Sequence, residues 1–145
     1  MQFSSRLSTA VHILLYLIEY ENEEKINSKV LADTTGVNAV NIRKVLALFK
    51  SAGLIRTRVG IGGTYFSRKP EEITLGTVFR AVEETDSKLF RPHGHPNVNC
   101  PVGRTIQSVP DGRVSKIREV MLKEMDCIYL SDLYLDMQEK IQKEK

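Results

Sequence analysis

Apolar residues return along the first part of this chain at helical rather than strand intervals. Leu7, Val11, Leu14, Leu15 and Ile18 share one side of a helix over residues 7–18, an amphipathic segment with a broad buried face. The stretch EYENEE that follows predicts an acidic, exposed end. In NSKVLADTTG the pattern shortens: Asn27 or Ser28 caps a second helix, Val30 and Leu31 point inward, and Gly36 permits the turn that stops it. The strongest period lies in VNAVNIRKVLALFKSAGL, where Ile42, Val45, Leu46 and Phe49 fall on one face of a third helix. Asn38 caps its start and Gly53 supplies a left-handed end. Val40, Arg43 and Lys44 lie on the opposite side, with Asn41 at the flank.

After Gly53 the period drops to two. Ile55, Thr57 and Val59 share one face and Arg56 and Arg58 the other, which predicts a short strand with a basic outer side. Gly60, Ile61, Gly62 and Gly63 make a turn, and TYFSRK returns as a second strand carrying Tyr65 and ending in Arg68 and Lys69. Further on, Ile106, Val109, Val114, Ile117, Val120, Met121 and Met125 form an apolar stripe suited to a partner helix. Pro110 and Gly112 predict a kink or break at residues 109–112, with the main helix over residues 113–125. The tail predicts a last helix capped by Ser131, with Leu133, Leu135, Met137 and Ile141 available for packing.

Charge sharpens this picture more than composition does. With 145 residues, 41% hydrophobic and 27% charged, the chain can bury a core in one ordinary domain. Its net charge is only +3, yet no acidic residue falls between Asp33 and Glu71, where Arg43, Lys44, Lys50, Arg56, Arg58, Arg68 and Lys69 all lie. A basic block of that kind points to a polyanion. Two short helices joined at a glycine, the second with a polar and basic outer face and followed by a basic hairpin, are the sequence form of a winged helix-turn-helix.

The run VGIGGTY is therefore the tip of a wing, whose glycines let backbone approach a sugar-phosphate edge. A nucleotide-binding reading fails on both known patterns: Gly63 is followed by Thr64 and Tyr65 rather than Lys-Ser/Thr, and Tyr65 holds the place of a third dinucleotide-loop glycine. An enzyme is not expected, since no acid and base pair, triad or metal motif occurs at useful spacing and His12 sits in a structural helix. The longest apolar run, residues 11–18, is too short for a membrane span and the N-terminus lacks a signal-peptide pattern, so a cytoplasmic protein is expected.

The segments MQFSSRLSTAVHILLYL, the helix-turn-helix through AGLI, the wing VGIGGTY and EEITLGTVFRAVEE together resemble the Rrf2 family of bacterial winged-helix transcriptional regulators, over nearly the whole chain. The later LFRPHGHPNVNCPVGRTIQ is similar to a cluster-free subgroup of that family. The resemblance implies a mainly α fold with a small β-hairpin: a winged helix-turn-helix domain over residues 1–86, a connecting loop over 87–101 and a helical dimerisation region over 102–145. It implies a homodimer that sets two recognition helices in successive major grooves of a pseudo-palindromic DNA site, most simply as a repressor.

Carried over by position, the recognition contacts fall on Asn38, Val40, Asn41, Arg43 and Lys44, and those of the wing on Val59, Gly60, Ile61, Gly62 and Gly63. Arg56, Arg58 and Tyr65 of the hairpin are expected to bind DNA as well, Arg58 beside the place of a minor-groove arginine that Val59 leaves empty, and Ser5 and Arg6 match positions that touch phosphate. The wing departs from the family pattern at Val59, Ile61 and Thr64, which stand where many members have arginine, proline and glycine. A winged-helix module that binds protein instead of DNA is the alternative.

Members that hold an iron-sulfur cluster do so through several cysteines after the wing. This chain offers only Cys100 there, with Lys88 and Gly94 at the upstream spacings, so no cofactor is expected. His93, His95 and Cys100 lack a fourth ligand for zinc, and no metal is expected. Cys100, at the start of a helix beginning with Pro101 and Val102, is the candidate thiol for an oxidant signal; Cys127, beside Met125, Ile128 and Leu130, is expected to be buried and inert. The loop of residues 90–100 is where a small-molecule or oxidant signal would enter.

Overall fold

The computed structural model describes residues 5–83 and 93–145. The first helix, α1 (Ser5–Tyr20), runs further at both ends than its apolar stripe, and buries Ala10, Ile13, Leu14 and Leu17. In α2 (Ser28–Thr35) the Asn27 side chain accepts from the N–H groups of Lys29 and Val30, satisfying donors that a helix start leaves free. Leu31 is buried, whereas Val30 is only half-buried. Gly36 stops the helix at φ 69, a left-handed conformation that its missing side chain makes cheap.

α3 (Ala39–Ser51) buries Ile42, Val45, Leu46 and Phe49, the stripe expected of it. The chain then turns through Gly53 into an antiparallel hairpin of β1 (Ile55–Thr57) and β2 (Thr64–Phe66), paired as Ile55 with Phe66, Arg56 with Tyr65 and Thr57 with Thr64. The strands are shorter than their alternation suggests. Thr57 is exposed, Val59 is 99% exposed, and Arg68 and Lys69 lie beyond β2. The reason is the turn: the Gly62 N–H donates to the Arg58 carbonyl at 2.9 Å, closing the loop before Val59 could reach an inner face.

After a short 3-10 turn at Pro70–Glu72, Thr74 caps α4 (Leu75–Val82) by accepting from the Thr77 N–H at 3.1 Å. Residues 84–92 lie outside the described part, and with them Lys88 and the start of the loop. The C-terminal region holds α5 (Pro101–Thr105), α6 (Asp111–Met125) and α7 (Leu130–Lys143). The interruption expected near Pro110 is present but sits earlier, over residues 106–110. Proline lacks the N–H needed inside a helix and serves as the residue before the first turn, so α6 starts at Asp111 with Gly112 already inside it.

Three expectations for the tail are corrected. The cap of α7 is Tyr129 rather than Ser131; its N–H donates to the Asp132 carboxylate at 2.9 Å. The chain there is pulled straight by backbone bonds from Leu130 to the Ile73 carbonyl and from Leu75 to the Ile128 carbonyl, which forces the helix to begin earlier. Leu135 and Ile141 are 60% and 40% exposed rather than packed. Cys127 is exposed, because residues 126–128 leave α6 in a surface turn where its Sγ reaches only the Lys123 carbonyl.

One core joins α1 to α4, β1 and the start of α7, from Ala10 through Phe49 and Ile73 to Leu130. The acidic end of α1 is used rather than merely solvated. The Glu21 carboxylate accepts from the Phe66 N–H at 2.9 Å, and that of Glu19 accepts from the Tyr134 hydroxyl and the Gln138 amide. These contacts fasten the hairpin and α7 to α1.

Candidate nucleic-acid interface

Burying Ile42, Val45, Leu46 and Phe49 dictates what the other side of α3 presents. Val40, Asn41, Arg43, Lys44, Ala47 and Lys50 are exposed, Val40 to 49%. The Asn38 Oδ1 accepts from the Val40 N–H at 2.7 Å, which orients the side chain and leaves both amide donors and one acceptor site for another partner. The helix stands between two hollows. One, of about 340 Å³, is lined on the wing side by Asn27, Ser28, Arg43, Lys50 and Thr64; the other, of about 600 Å³, lies towards α1 and is lined by Ser5, Arg6, Thr9, Asn41 and Lys44.

The wing projects from this surface. Val59 and Ile61 are exposed at its tip, and Gly60, Gly62 and Gly63 all take positive φ, from 70 to 86. Arg58 lies over the Tyr65 ring, 4.2 Å from its centroid, a cation–π contact that stiffens the wing's base. Arg56 donates from Nε to the Phe66 carbonyl at 3.4 Å. Arg6 donates to the Val82 carbonyl at 3.0 Å, so its guanidinium is partly committed to α4, while Ser5 is exposed beside it. Among the described residues none of the seven cations between Asp33 and Glu71 forms an ion pair. That leaves their charge available to a polyanion.

The residues assigned to a partner helix divide. Val114, Met121 and Met125 are half-buried, as is Ile106 in the turn after α5; Val109, Ile117 and Val120 are exposed, and α6 buries none of its side chains within the chain. Cys100 is half-buried and precedes α5. His93 and His95 are exposed, His95 at φ 58, and among the described residues no three of histidine, cysteine, aspartate and glutamate gather as metal ligands. Among the described residues no helix is long and apolar enough to cross a membrane. The sequence reading passed over Lys25, which lies against the wing; it sits in an acidic stretch and only folding brings it there.

A helix-turn-helix whose second helix bares a basic face, followed by a glycine-tipped hairpin, defines a winged helix-turn-helix, a DNA-binding fold. The pattern of the Rrf2 family, described as iron-dependent transcriptional regulators, matches residues 3–136, and the chain belongs to that family. YwnA of Bacillus subtilis (strain 168), named as a putative HTH-type transcriptional regulator, is 34% identical over 130 residues, covering 90% of this chain and 95% of its own. The HTH-type transcriptional regulator NsrR of Geobacillus kaustophilus (strain HTA426) is 30% identical over 139 residues, 94% of this chain and 91% of its own. Among solved structures, IscR of T. potens superposes with a TM-score of 0.67 at 20% identity, over 97% of this chain and 90% of its own, a likeness of fold. These relatives are transcriptional regulators and not enzymes.

The family description names iron, and the residues of this chain do not fit a resident iron-sulfur cluster. Its two cysteines, Cys100 and Cys127, stand before α5 and after α6, and clusters are held by thiolates in larger number.

Proposed function

We propose that this protein is a cytoplasmic, homodimeric repressor that binds a pseudo-palindromic DNA site through α3 and the wing. The observation that carries the reading is the outward face of α3, where Asn41, Arg43 and Lys44 are exposed along a helix whose opposite face is the core. Lysine and arginine would supply affinity through phosphates, and Asn38, Asn41, Arg43 and Lys44 would choose sequence at base edges. Exposed Ile117 and Val120 on α6 support a second copy as its partner. Such a dimer would read half-sites about 34 Å apart, or a multiple of that. Repression then needs nothing beyond occupancy of a promoter.

The test is a salt titration of the full chain on DNA upstream of its own gene and on unrelated DNA. Binding should be tighter on the first, and steep in salt on both, because phosphate contacts release counterions. Lys44→Ala should weaken the specific complex more than the nonspecific one; equal loss on both would remove Lys44 from base readout. A chain that binds neither DNA in a salt-dependent way is a protein-interaction module. Repeating the titration after mild peroxide, with Cys100→Ser as control, decides whether Cys100 carries an oxidant signal.

A further inference from the structure

The wing tip, residues 59–63, has no charged side chain; Arg56 and Arg58 lie at its base, the first donating to the Phe66 carbonyl and the second over the Tyr65 ring. A cation from another element fills that place. Lys25, in the connection between α1 and α2, lays its side chain along the glycine turn. A methyl group on Gly62 would stand 2.9 Å from Lys25 Cε and 3.0 Å from Nζ, and one on Gly63 would stand 3.4 Å from Cγ.

The backbone beneath this lysine is pinned. Ile26 is 1% exposed, its carbonyl accepts from the Thr64 N–H at 2.9 Å, and Asn27 is already committed as the cap of α2. Residue 25 therefore cannot drift from the hairpin without pulling its neighbour out of the core. Lys25 is exposed, and among the described residues it makes neither a hydrogen bond nor an ion pair. Two of the glutamates that precede it are otherwise engaged, Glu21 with the Phe66 N–H and Glu24 with the Tyr16 hydroxyl. The hollow that Arg43 and Lys50 line is also lined by Ile26, the residue after Lys25, and by Gly63, along which the lysine stem runs.

We propose that Lys25 is a DNA-phosphate contact, carrying the basic surface of α3 out to an otherwise uncharged wing tip. The assignment rests on the DNA-binding reading above and adds to it a residue outside the helix-turn-helix. It also gives Gly62 and Gly63 a second role: they leave open the channel along which the lysine stem runs.

Fluorescence anisotropy on the full chain tests it, with labelled duplexes of mixed sequence and of the DNA upstream of its own gene, over a salt series. Lys25→Met keeps the stem against Gly62 and removes only the charge, and Lys25→Arg restores the charge. The slope of log affinity against log salt should flatten by about 0.9 in Lys25→Met on both duplexes and return in Lys25→Arg. Thermal melts of each variant separate loss of contact from loss of fold. An unchanged slope in Lys25→Met, with a steep one in the parent, overturns the lysine assignment and leaves DNA binding standing. Loss confined to one duplex overturns the phosphate contact in favour of base reading. A parent without salt-dependent binding overturns the DNA reading, and this inference with it.

Discussion

Arg80 and Asp126 meet with both guanidinium Nη atoms 2.7 Å from the carboxylate, joining α4 to the end of α6. Arg80's hydrogen bonds hold the Asp126 carboxyl below its ordinary value of 3.8, with a smaller push from the Thr74 hydroxyl. A depressed folded-state value means that the stabilisation is present above that ordinary value and is lost as pH falls through the folded one. Both side chains are about two-fifths exposed, so solvent screening keeps the effect small. Asp126→Asn should lower the melting temperature slightly at neutral pH, and the gap to the parent should close in acid; a gap that persists there removes the ion pair as its cause. Gly76 belongs to the same arrangement, since a methyl group on it would overlap the Asp126 carboxylate. On α1, the hydrogen bond to Glu24 pushes the Tyr16 hydroxyl up to about 12, keeping it a donor at any pH the protein would meet.

Elements were legible where their signal is local. The stripe of α3 is a repeat within one helix, and Phe49 ends with no exposed surface. Phe49→Ala should cost about 3–5 kcal/mol, read by denaturant unfolding, because the cavity it leaves touches both the helix-turn-helix and the hairpin's root. An outcome below about 1 kcal/mol would mean that the core collapses around the gap. The same face logic placed Val40, Asn41, Arg43 and Lys44 outward without any long-range knowledge. The hairpin was overextended because Ile55, Thr57 and Val59 alternate in sequence while a turn hydrogen bond, invisible to alternation, ends the strand first. The start of α7 was misplaced for a related reason. Leu130 enters a core built from residues far earlier in the chain, and the backbone pairing of Thr74 with Tyr129 has no local period to announce it. Lys25 was missed because its neighbours in sequence are acidic and its neighbours in space are glycines.

At the scale of the whole molecule, the winged helix-turn-helix and α7 share one core, while α6 stands outside it. Under the dimer reading, Ile117→Asp should yield monomers in sedimentation and abolish tight operator binding, while leaving the cations of α3 and the wing able to hold DNA weakly. A variant that remains dimeric would place the interface on another face. The unburied state of α6 has a consequence for how the protein melts. A helix of 15 residues is marginal in water by itself, and this one has only half-buried Val114, Met121 and Met125 and the Arg80–Asp126 pair at its end to hold it, so under the dimer reading a second copy would supply the rest of its order. Folding of that segment would then be partly bimolecular, and helical signal should be lost on dilution before the α1–α4 core is touched, with a melting midpoint that climbs as protein concentration rises.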